Sequence, residues 1–351
     1  MNMANNLRIG KGSTLGSCHV VEDILGDGSF GVVAKCRNTK TNNIVAVKVI
    51  RGKECFVHSA IAEIAVLRRL QCLDSDTCSI VQWNGFFFDK ENICIDFELL
   101  DQSLRDYLDG TKSRLSVGEL RPVLHQVATA LSHMHSIGIM HMDLKPDNIM
   151  VVDRHQHPLK VKLIDFGMAH PISVVKQGAC MGTMYYCAPE MLLGAPFNEC
   201  IDVWALGLIM AELATGCILY PGQAPYDVIR FVVECQGQPP DHVLDSGWEM
   251  NLNSLDEIHT LTLDVCNRIK AREVLEHQFF ASSHTQEQRR DPDPHQAGST
   301  VATVINTDSK KNQRIKEKNQ RKDSKKRIKE SKKRIKEKIQ RKRKMNSNSS
   351  N

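Results

Sequence analysis

At 351 residues, with 41% hydrophobic and 25% charged side chains, the chain suits one large globular domain or two modest ones, which excludes a disordered or collagen-like protein. Its twelve cysteines are scattered without a C-x-x-C pair, and the N-terminus shows no secretory signal, so they read as reduced thiols of the cytosol or nucleus, not a disulfide or zinc framework. The net charge of +5 is uneven: residues 310–351 carry 20 Lys and Arg against 4 Asp and Glu, whereas residues 1–309 carry 26 against 37, an acidic body with a basic tail.

Residues 1–19 are polar and Gly-rich and read as a loose lead-in. From 20 to 97 the pattern is mostly strands, with β-branched runs such as GVVAKC and NIVAVKVI split by the turn-like NTKTNN. One helix interrupts them, HSAIAEIAVLRRL, with an expected apolar face of Ile61, Ile64, Ala65 and Leu67 and with Glu63 beside it. A connection at 98–101 leads to a helix-rich part, 102–282. There ELRPVLHQVATALSHMHSIG reads as an amphipathic helix closed by Gly138, and the strands NIMVV and VKLID flank the polar turn DRHQHPL. The run Val203–Tyr220 is nearly long enough to span a bilayer, but Glu212 near its middle argues for a helix buried in protein. Residues 283–309 are polar with prolines and read as a linker. The 310–351 tail repeats SKKRIKE at 324–330 and 331–337. Over residues 324–340 its only apolar residues, Ile328, Ile335 and Ile339, are too few for a strong coiled-coil seam, so the tail is expected to be disordered or simply helical.

Three motifs carry chemistry. LGDGSFGVV sets Gly26, Gly28 and Gly31 in a G-x-G-x-x-G pattern that lets backbone N–H groups approach phosphates. A dinucleotide fold would place a helix next, yet a strand-like run follows, so the alternatives are a phosphate flap and a hairpin without ligand. Lys48 lies within the apolar VAVKV strand, where a lysine is costly unless paired; Glu63 is the natural partner, and a snorkelling surface lysine is the bland alternative. In HMDLKPDNIM, Asp143 can orient a hydroxyl and accept its proton, and Lys145 can neutralise a phosphoryl group in transit. Asn148 and Asp165 offer oxygen ligands suited to magnesium.

In this order the motifs resemble those of a eukaryotic protein kinase over about Val20 to Phe280: the glycine triplet, Lys48, Glu63, His141-x-Asp143-x-Lys145-x-x-Asn148, Asp165-Phe166-Gly167, Ala188-Pro189-Glu190 and Asp202-Val-Trp204-x-x-Gly207. The resemblance implies an α+β, bilobal kinase fold with a small β-rich lobe (20–97), a hinge (98–101) and a larger helical lobe (102–282). It implies ATP and Mg2+ as cofactors, with Asp143 and Lys145 catalytic and Asn148 and Asp165 holding the metal. ATP would be bound by Leu25, Gly26, Gly28, Gly31, Val33, Ala46, Lys48 and Glu63, with Phe97 at the back of the adenine pocket and the backbone of Glu98 to Leu100 as hinge. Thr183 would hydrogen-bond toward Asp143 and Lys145, and Glu190 would pair with Arg268. Lys145 and Thr183 together are similar to the serine/threonine class.

FELLDQSLRDYL, RPVLHQVATAL, GIMHMDLKPDNIM and YPGQAPYDVIRFVVECQGQP further resemble the homeodomain-interacting protein kinases, relatives of the dual-specificity tyrosine-regulated kinases. Like that group, the chain lacks an arginine before the catalytic aspartate. Met142 stands there and cannot grip a phosphate, so activity is expected without an activation-loop phosphate contact. The chain departs from that group in three ways. Cys180 occupies the place of the group's autophosphorylated tyrosine. Cys187 replaces an arginine linked to preference for a following proline. The segment from Asp241 to Leu255 is too short for the group's insert. The resemblance implies protein substrates, transcription regulators among the partners, and a nuclear or cytoplasmic location. The basic tail would serve import receptors or nucleic acid. The rival reading is a catalytically weak kinase-like scaffold.

Overall fold

The computed structural model describes residues 9–28, 31–111, 114–174, 182–237 and 268–281. Cys180, the shortened segment from Asp241 to Leu255, the 283–309 linker and the 310–351 tail lie outside them. The smaller lobe is one antiparallel sheet of β1 (Thr14–Leu15), β2 (His19–Asp27), β3 (Gly31–Asn38), β4 (Ile44–Ile50), β5 (Trp83–Asp89) and β6 (Asn92–Glu98), in the order β1-β2-β3-β4-β6-β5. The β3–β4 and β5–β6 turns each carry a left-handed residue, Asn42 at φ 60° and Lys90 at φ 54°. Among residues with a side chain, asparagine tolerates that region best. β1 precedes residue 20 and Leu15 is buried, so part of the expected lead-in belongs to the sheet.

Period-two alternation gives the sheet two different faces. Val45, Val47 and Val49 of β4 join Ala34, Cys36 and Cys94 in a small core on one side. Ala46 and Lys48 point to the other side, toward the cleft. Burial pushes the Cys36 and Cys94 thiols up to about 12, which leaves them inert. A polar clasp that the sequence reading did not foresee lies at this small core. Buried His19 meets buried Asp96 at 2.9 Å, Asn84 donates to the same carboxylate at 3.0 Å, and His19 stacks on Phe87 at 4.5 Å. It ties β2 to β6 across a curled sheet in which the two strands are not neighbours.

Helix α1 (Glu54–Leu70) crosses the cleft side of the sheet. Its buried stripe is Ala60, Glu63, Ile64, Leu67 and Leu70, with Val66 beside it. This corrects the expected face: Ile61 is 57% exposed and Ala65 is exposed, while Glu63 is turned inward. The ion pair described below rotates the helix so that a carboxylate, not Ile61, faces the protein.

The larger lobe is built on α3 (Val117–Ser136) and α5 (Cys200–Thr215). α3 begins with a capping box: Ser116 Oγ accepts from the Glu119 amide at 3.4 Å, and the Glu119 carboxylate accepts from the Ser116 amide at 2.9 Å. Gly138, at φ 71°, turns the chain out of the helix. α5 is buried along most of its length and stops at Gly216, φ 80°. Its Glu212 is satisfied internally by Arg105 at 2.5 Å and by the Tyr186 hydroxyl at 2.6 Å. Among the described residues no helix is long and apolar enough to cross a membrane. Smaller elements complete the lobe. β7 (Gln102–Ser103), β9 (Ile149–Asp153) and β10 (His157–Leu163) form a three-stranded sheet, and β8 (Ile139–Met140) pairs with β11 (His170–Pro171). Around them lie α2 (Leu104–Thr111), α4 (Pro189–Leu192), α6 (Pro225–Gln236), α7 (Ala271–Glu276) and α8 (Gln278–Ala281). The architecture is α+β and bilobal, a small sheet lobe joined to a larger helical one.

Candidate active site

The sheet register builds the roof of the cleft. Directly opposed residues share a face, and the ladder aligns Gly26 with Val33, Val33 with Lys48, Lys48 with Ile95, and Ala46 with Phe97. Val33, Ala46, Lys48 and Phe97 therefore look into the cleft together, with half-exposed Leu25 at its lip. The glycine turn is closed by the Gly28 amide donating to the Gly31 carbonyl at 2.9 Å. A side chain at Gly31 would put Cβ 1.9 Å from the Val49 carbonyl oxygen, so only glycine fits where the flap presses on β4. Among the described residues nothing lies within 4 Å of a Cβ at Gly26 or Gly28.

Lys48 is the centre of charge. Its ammonium donates to Glu63 Oε1 at 2.8 Å, Glu63 Oε2 at 2.9 Å and Asp165 Oδ1 at 2.9 Å. Burial alone would lower the lysine's pKa, but the two carboxylates outweigh it and hold Lys48 above its ordinary range. Burial pushes Glu63 up, only partly offset by Lys48. Asp165 is held below its ordinary value because the charge and hydrogen bond of Lys48 outweigh its own desolvation.

The floor is the loop after β8. Asp143 Oδ1 accepts from the Thr183 amide and hydroxyl, both at 2.7 Å, while Oδ2 accepts from Lys145 Nζ at 2.7 Å and Asn148 Nδ2 at 3.2 Å. Lys145 also donates to Thr183 Oγ1 at 2.8 Å. The loop backbone hangs from Asp202 of α5, which accepts from the His141 and Met142 amides at 2.8 and 2.9 Å and pairs with His135 at 2.9 Å. Burial opposes ionisation of Asp202, yet His135, His141 and the loop amide hold its pKa low. These bonds keep Met142 at φ 67°, a left-handed conformation that is unfavourable for its side chain. Asp165 is also left-handed, at φ 57°. His141 Nε2 meets the Ile164 carbonyl at 3.0 Å and packs edge-on against Phe166, linking the Asp143 loop to the Asp165 segment.

A cavity of about 330 Å³ opens between roof and floor, lined by Lys48, Glu63, Asp143, Lys145, Asp165 and Thr183 among others. The donor set fits a nucleotide with a hard cation. Asn148 Oδ1 and Asp165 Oδ2 make no hydrogen bond among the described residues and can ligate an ion, and Lys48 and Lys145 can face phosphate. Among the described residues no group of three or more His, Cys, Asp or Glu forms a complete metal cage. Mg2+ needs none, since water and substrate phosphates complete its shell.

The sequence reading placed other residues that the structure sets further from this point. Glu190 and Arg268 form a buried bidentate pair, at 2.5 and 3.0 Å. The Glu98 side chain turns away from the cleft to Lys162, at 2.7 and 3.0 Å, leaving only backbone toward the hinge; Leu100 is buried. Cys187 is buried, with its thiol donating to the Thr183 carbonyl at 3.5 Å. Sequence reasoning missed the roles of Asp202, His135, Lys162 and Arg105. The one available signal was Glu212, a carboxylate within an apolar run that had to find a partner.

The protein kinase domain family profile matches residues 19–280. The chain is 42% identical over 228 residues to homeodomain-interacting protein kinase 2 of Mesocricetus auratus, covering 65% of this chain and 20% of that protein. It is 41% identical over 240 residues to homeodomain-interacting protein kinase 1 of Caenorhabditis elegans, covering 68% and 28%. It is 39% identical over 230 residues to homeodomain-interacting protein kinase 4 of Mus musculus, covering 65% and 37%. The chain thus spans only about a fifth to a third of the length of these relatives.

Proposed function

The chain belongs to the protein kinase family, and on that premise we propose that it transfers the γ-phosphoryl group of ATP to serine and threonine hydroxyls of protein substrates. The observation that carries this reading is the pair of opposed clusters: Lys48 held by Glu63 and Asp165 on one side, and Asp143 held by Thr183, Lys145 and Asn148 on the other. ATP with Mg2+ supplies the phosphoryl group and a cation to neutralise it. The glycine flap, with Leu25, Val33, Ala46 and Phe97, encloses the nucleotide, and the backbone of Glu98 to Leu100 recognises its base. Lys48 grips phosphate oxygens, and Asn148 and Asp165 hold the cation. Asp143 Oδ2 orients the substrate hydroxyl and takes its proton, while Lys145 balances charge between them.

The Lys145–Thr183–Asp143 contacts support a serine/threonine preference, because they draw the substrate loop close to the catalytic carboxylate. Because Met142 is apolar and buried, the active arrangement rests on Asp202 and needs no loop phosphate. With Cys187 in place of arginine, the substrate need not carry a following proline. The relatives' name, homeodomain-interacting, supports transcription regulators as substrates; the 20 Lys and Arg of the tail support its use as import signal or nucleic-acid contact, and with it a nuclear location. Purified chain incubated with radiolabelled ATP, Mg2+ and a peptide array is expected to label serine and threonine peptides, and Asp165→Asn to abolish labelling while the fold persists. Undiminished labelling by that variant overturns the assignment; a folded wild type that labels nothing establishes the scaffold reading.

A further inference from the structure

The turn that carries Lys145 and Asn148 also carries a carboxylate that the proposed reaction does not use. Asp147 is half-exposed there, beside a charge cluster drawn from three other parts of the larger lobe. Arg105, in the first turn of α2, donates through Nη1 to Glu212 of α5 at 2.5 Å and through Nη2 to the Tyr186 hydroxyl at 2.8 Å. Tyr186 donates in turn to the second oxygen of Glu212 at 2.6 Å, and Arg105 Nε faces Asp147 at 3.7 Å. Each nitrogen of the guanidinium therefore looks at an oxygen. Burial disfavours the charge of Arg105, but Glu212, with Tyr186 and Asp147, outweighs it and holds the group above its ordinary pKa.

The cluster lies where a substrate chain must pass. Tyr186 stands three residues after Thr183, whose hydroxyl is 2.7 Å from Asp143, and Asp147 stands four residues after Asp143. An extended peptide advances about 3.3–3.6 Å per residue, so one whose serine reaches Asp143 meets the cluster within roughly four positions. The Arg105 side chain is 28% exposed, whereas Glu212 behind it is 3% exposed. The guanidinium thus plugs a slot that opens to solvent and ends on a buried carboxylate.

We propose that Arg105 is a specificity-determining residue: it fills, from the protein's own chain, an anionic subsite that would otherwise receive an arginine of the substrate peptide. The inference rests on the kinase reading above and adds a substrate preference to it. Without Arg105 the slot offers Glu212, Asp147 and the Tyr186 oxygen to an incoming cation. A planar fork can meet all three and a single ammonium cannot, so the emptied slot selects arginine over lysine. With Arg105 in place the slot is full, and a substrate arginine gains nothing there.

The test uses the full chain and serine peptides in which one arginine is moved through the four positions on each side of the serine. Each peptide has a citrulline twin that keeps the shape and loses the charge. For Arg105→Ala, kcat/KM should favour arginine over citrulline about tenfold or more at one position, as expected of a charge-assisted hydrogen bond, with lysine in between. The wild type should treat the twins alike at that position, and Glu212→Gln added to Arg105→Ala should remove the acquired preference. A merely structural Arg105 lowers labelling of all peptides together and leaves the ratio flat, which overturns the proposal, as does a wild type that already discriminates as the variant does. If Arg105→Ala does not fold, Arg105→Gln carries the same comparison with a smaller gain. Anisotropy titrations of fluorescein-labelled twins read the same ratio as binding, without phosphoryl transfer. A folded wild type that labels no peptide therefore sinks the kinase reading, whereas a variant that binds the twins equally sinks this proposal.

Discussion

Two lysines, on opposite sides of the hinge, face carboxylates in different ways. Lys48 donates to Glu63 and Asp165 but keeps 23% of its side chain exposed to the cavity. Lys162, on β10, has 3% exposure and is enclosed by Glu98 at 2.7 Å, Ser75 Oγ at 2.8 Å and Asp76 at 3.1 Å. The chemistry is the same and the accessibility is not. A lysine open to a cavity can exchange a partner for an incoming phosphate; an enclosed one can only hold its neighbours together. Lys162 fastens the end of β6, where the hinge begins, to the strand that leads three residues later to Asp165. Burial and pairing alone therefore do not mark a functional lysine. The open face does.

The comparison breaks first at Lys48. Lys48→Met is expected to lower kcat/KM for phosphoryl transfer roughly 10²–10³-fold, the usual loss when one preorganised charge is removed. The urea midpoint should move little, because burial has already raised the pKa of Glu63, so that carboxyl can take up a proton instead of standing charged and alone. On the other side the balance reverses. Glu98→Leu leaves the enclosed Lys162 only Ser75 Oγ and the exposed Asp76, and should cost up to about 3 kcal/mol of unfolding free energy in urea titrations, the low end for a buried pair because those partners remain and Glu98 is partly exposed. Adding Lys162→Met to that variant should recover most of the loss. If the double variant stays as unstable as the single, the charge of Lys162 is not the cause.

A smaller effect separates pairing from pH. The native pKa of Asp202 is depressed, so its contribution to stability is complete above the unfolded value of about 3.9 and is lost as pH falls through the lower native value. Wild-type urea midpoints should therefore fall more steeply between about pH 5 and pH 2.5 than those of Asp202→Asn, which is weaker throughout but lacks this titration. Parallel slopes would remove Asp202 from the acid limb.

Much of the candidate site was legible because its residues fall in short segments whose spacing has chemical meaning. Asp143, Lys145 and Asn148 lie within six positions and meet through one loop. Lys48 in an apolar strand demanded a partner, and Glu63 was the carboxylate at hand. The face of α1 was misread for the same reason that Glu63 matters: helical periodicity scores Ile61 and Ala65 as core, but a buried ion pair outweighs two apolar side chains and turns the helix. His19 and Asp96 were invisible because neither stands out in its own strand, and only curling of the sheet brings them together. Asp202, which lay in a quoted motif without a role, gains one only where α5 passes beneath the Asp143 loop.

By itself the amino-acid order determined which charged groups exist, the local turns and caps that glycine, asparagine and serine impose, and the alternation that makes one face of each strand apolar. Tertiary structure alone decided which carboxylate each buried base meets, that Lys48 stays open while Lys162 is enclosed, and that Asp202 of α5 holds the Asp143 loop. The reason is that a hydrogen-bonding group withdrawn from water must find its partner wherever the fold brings one. That distance in space has no counterpart in distance along the chain.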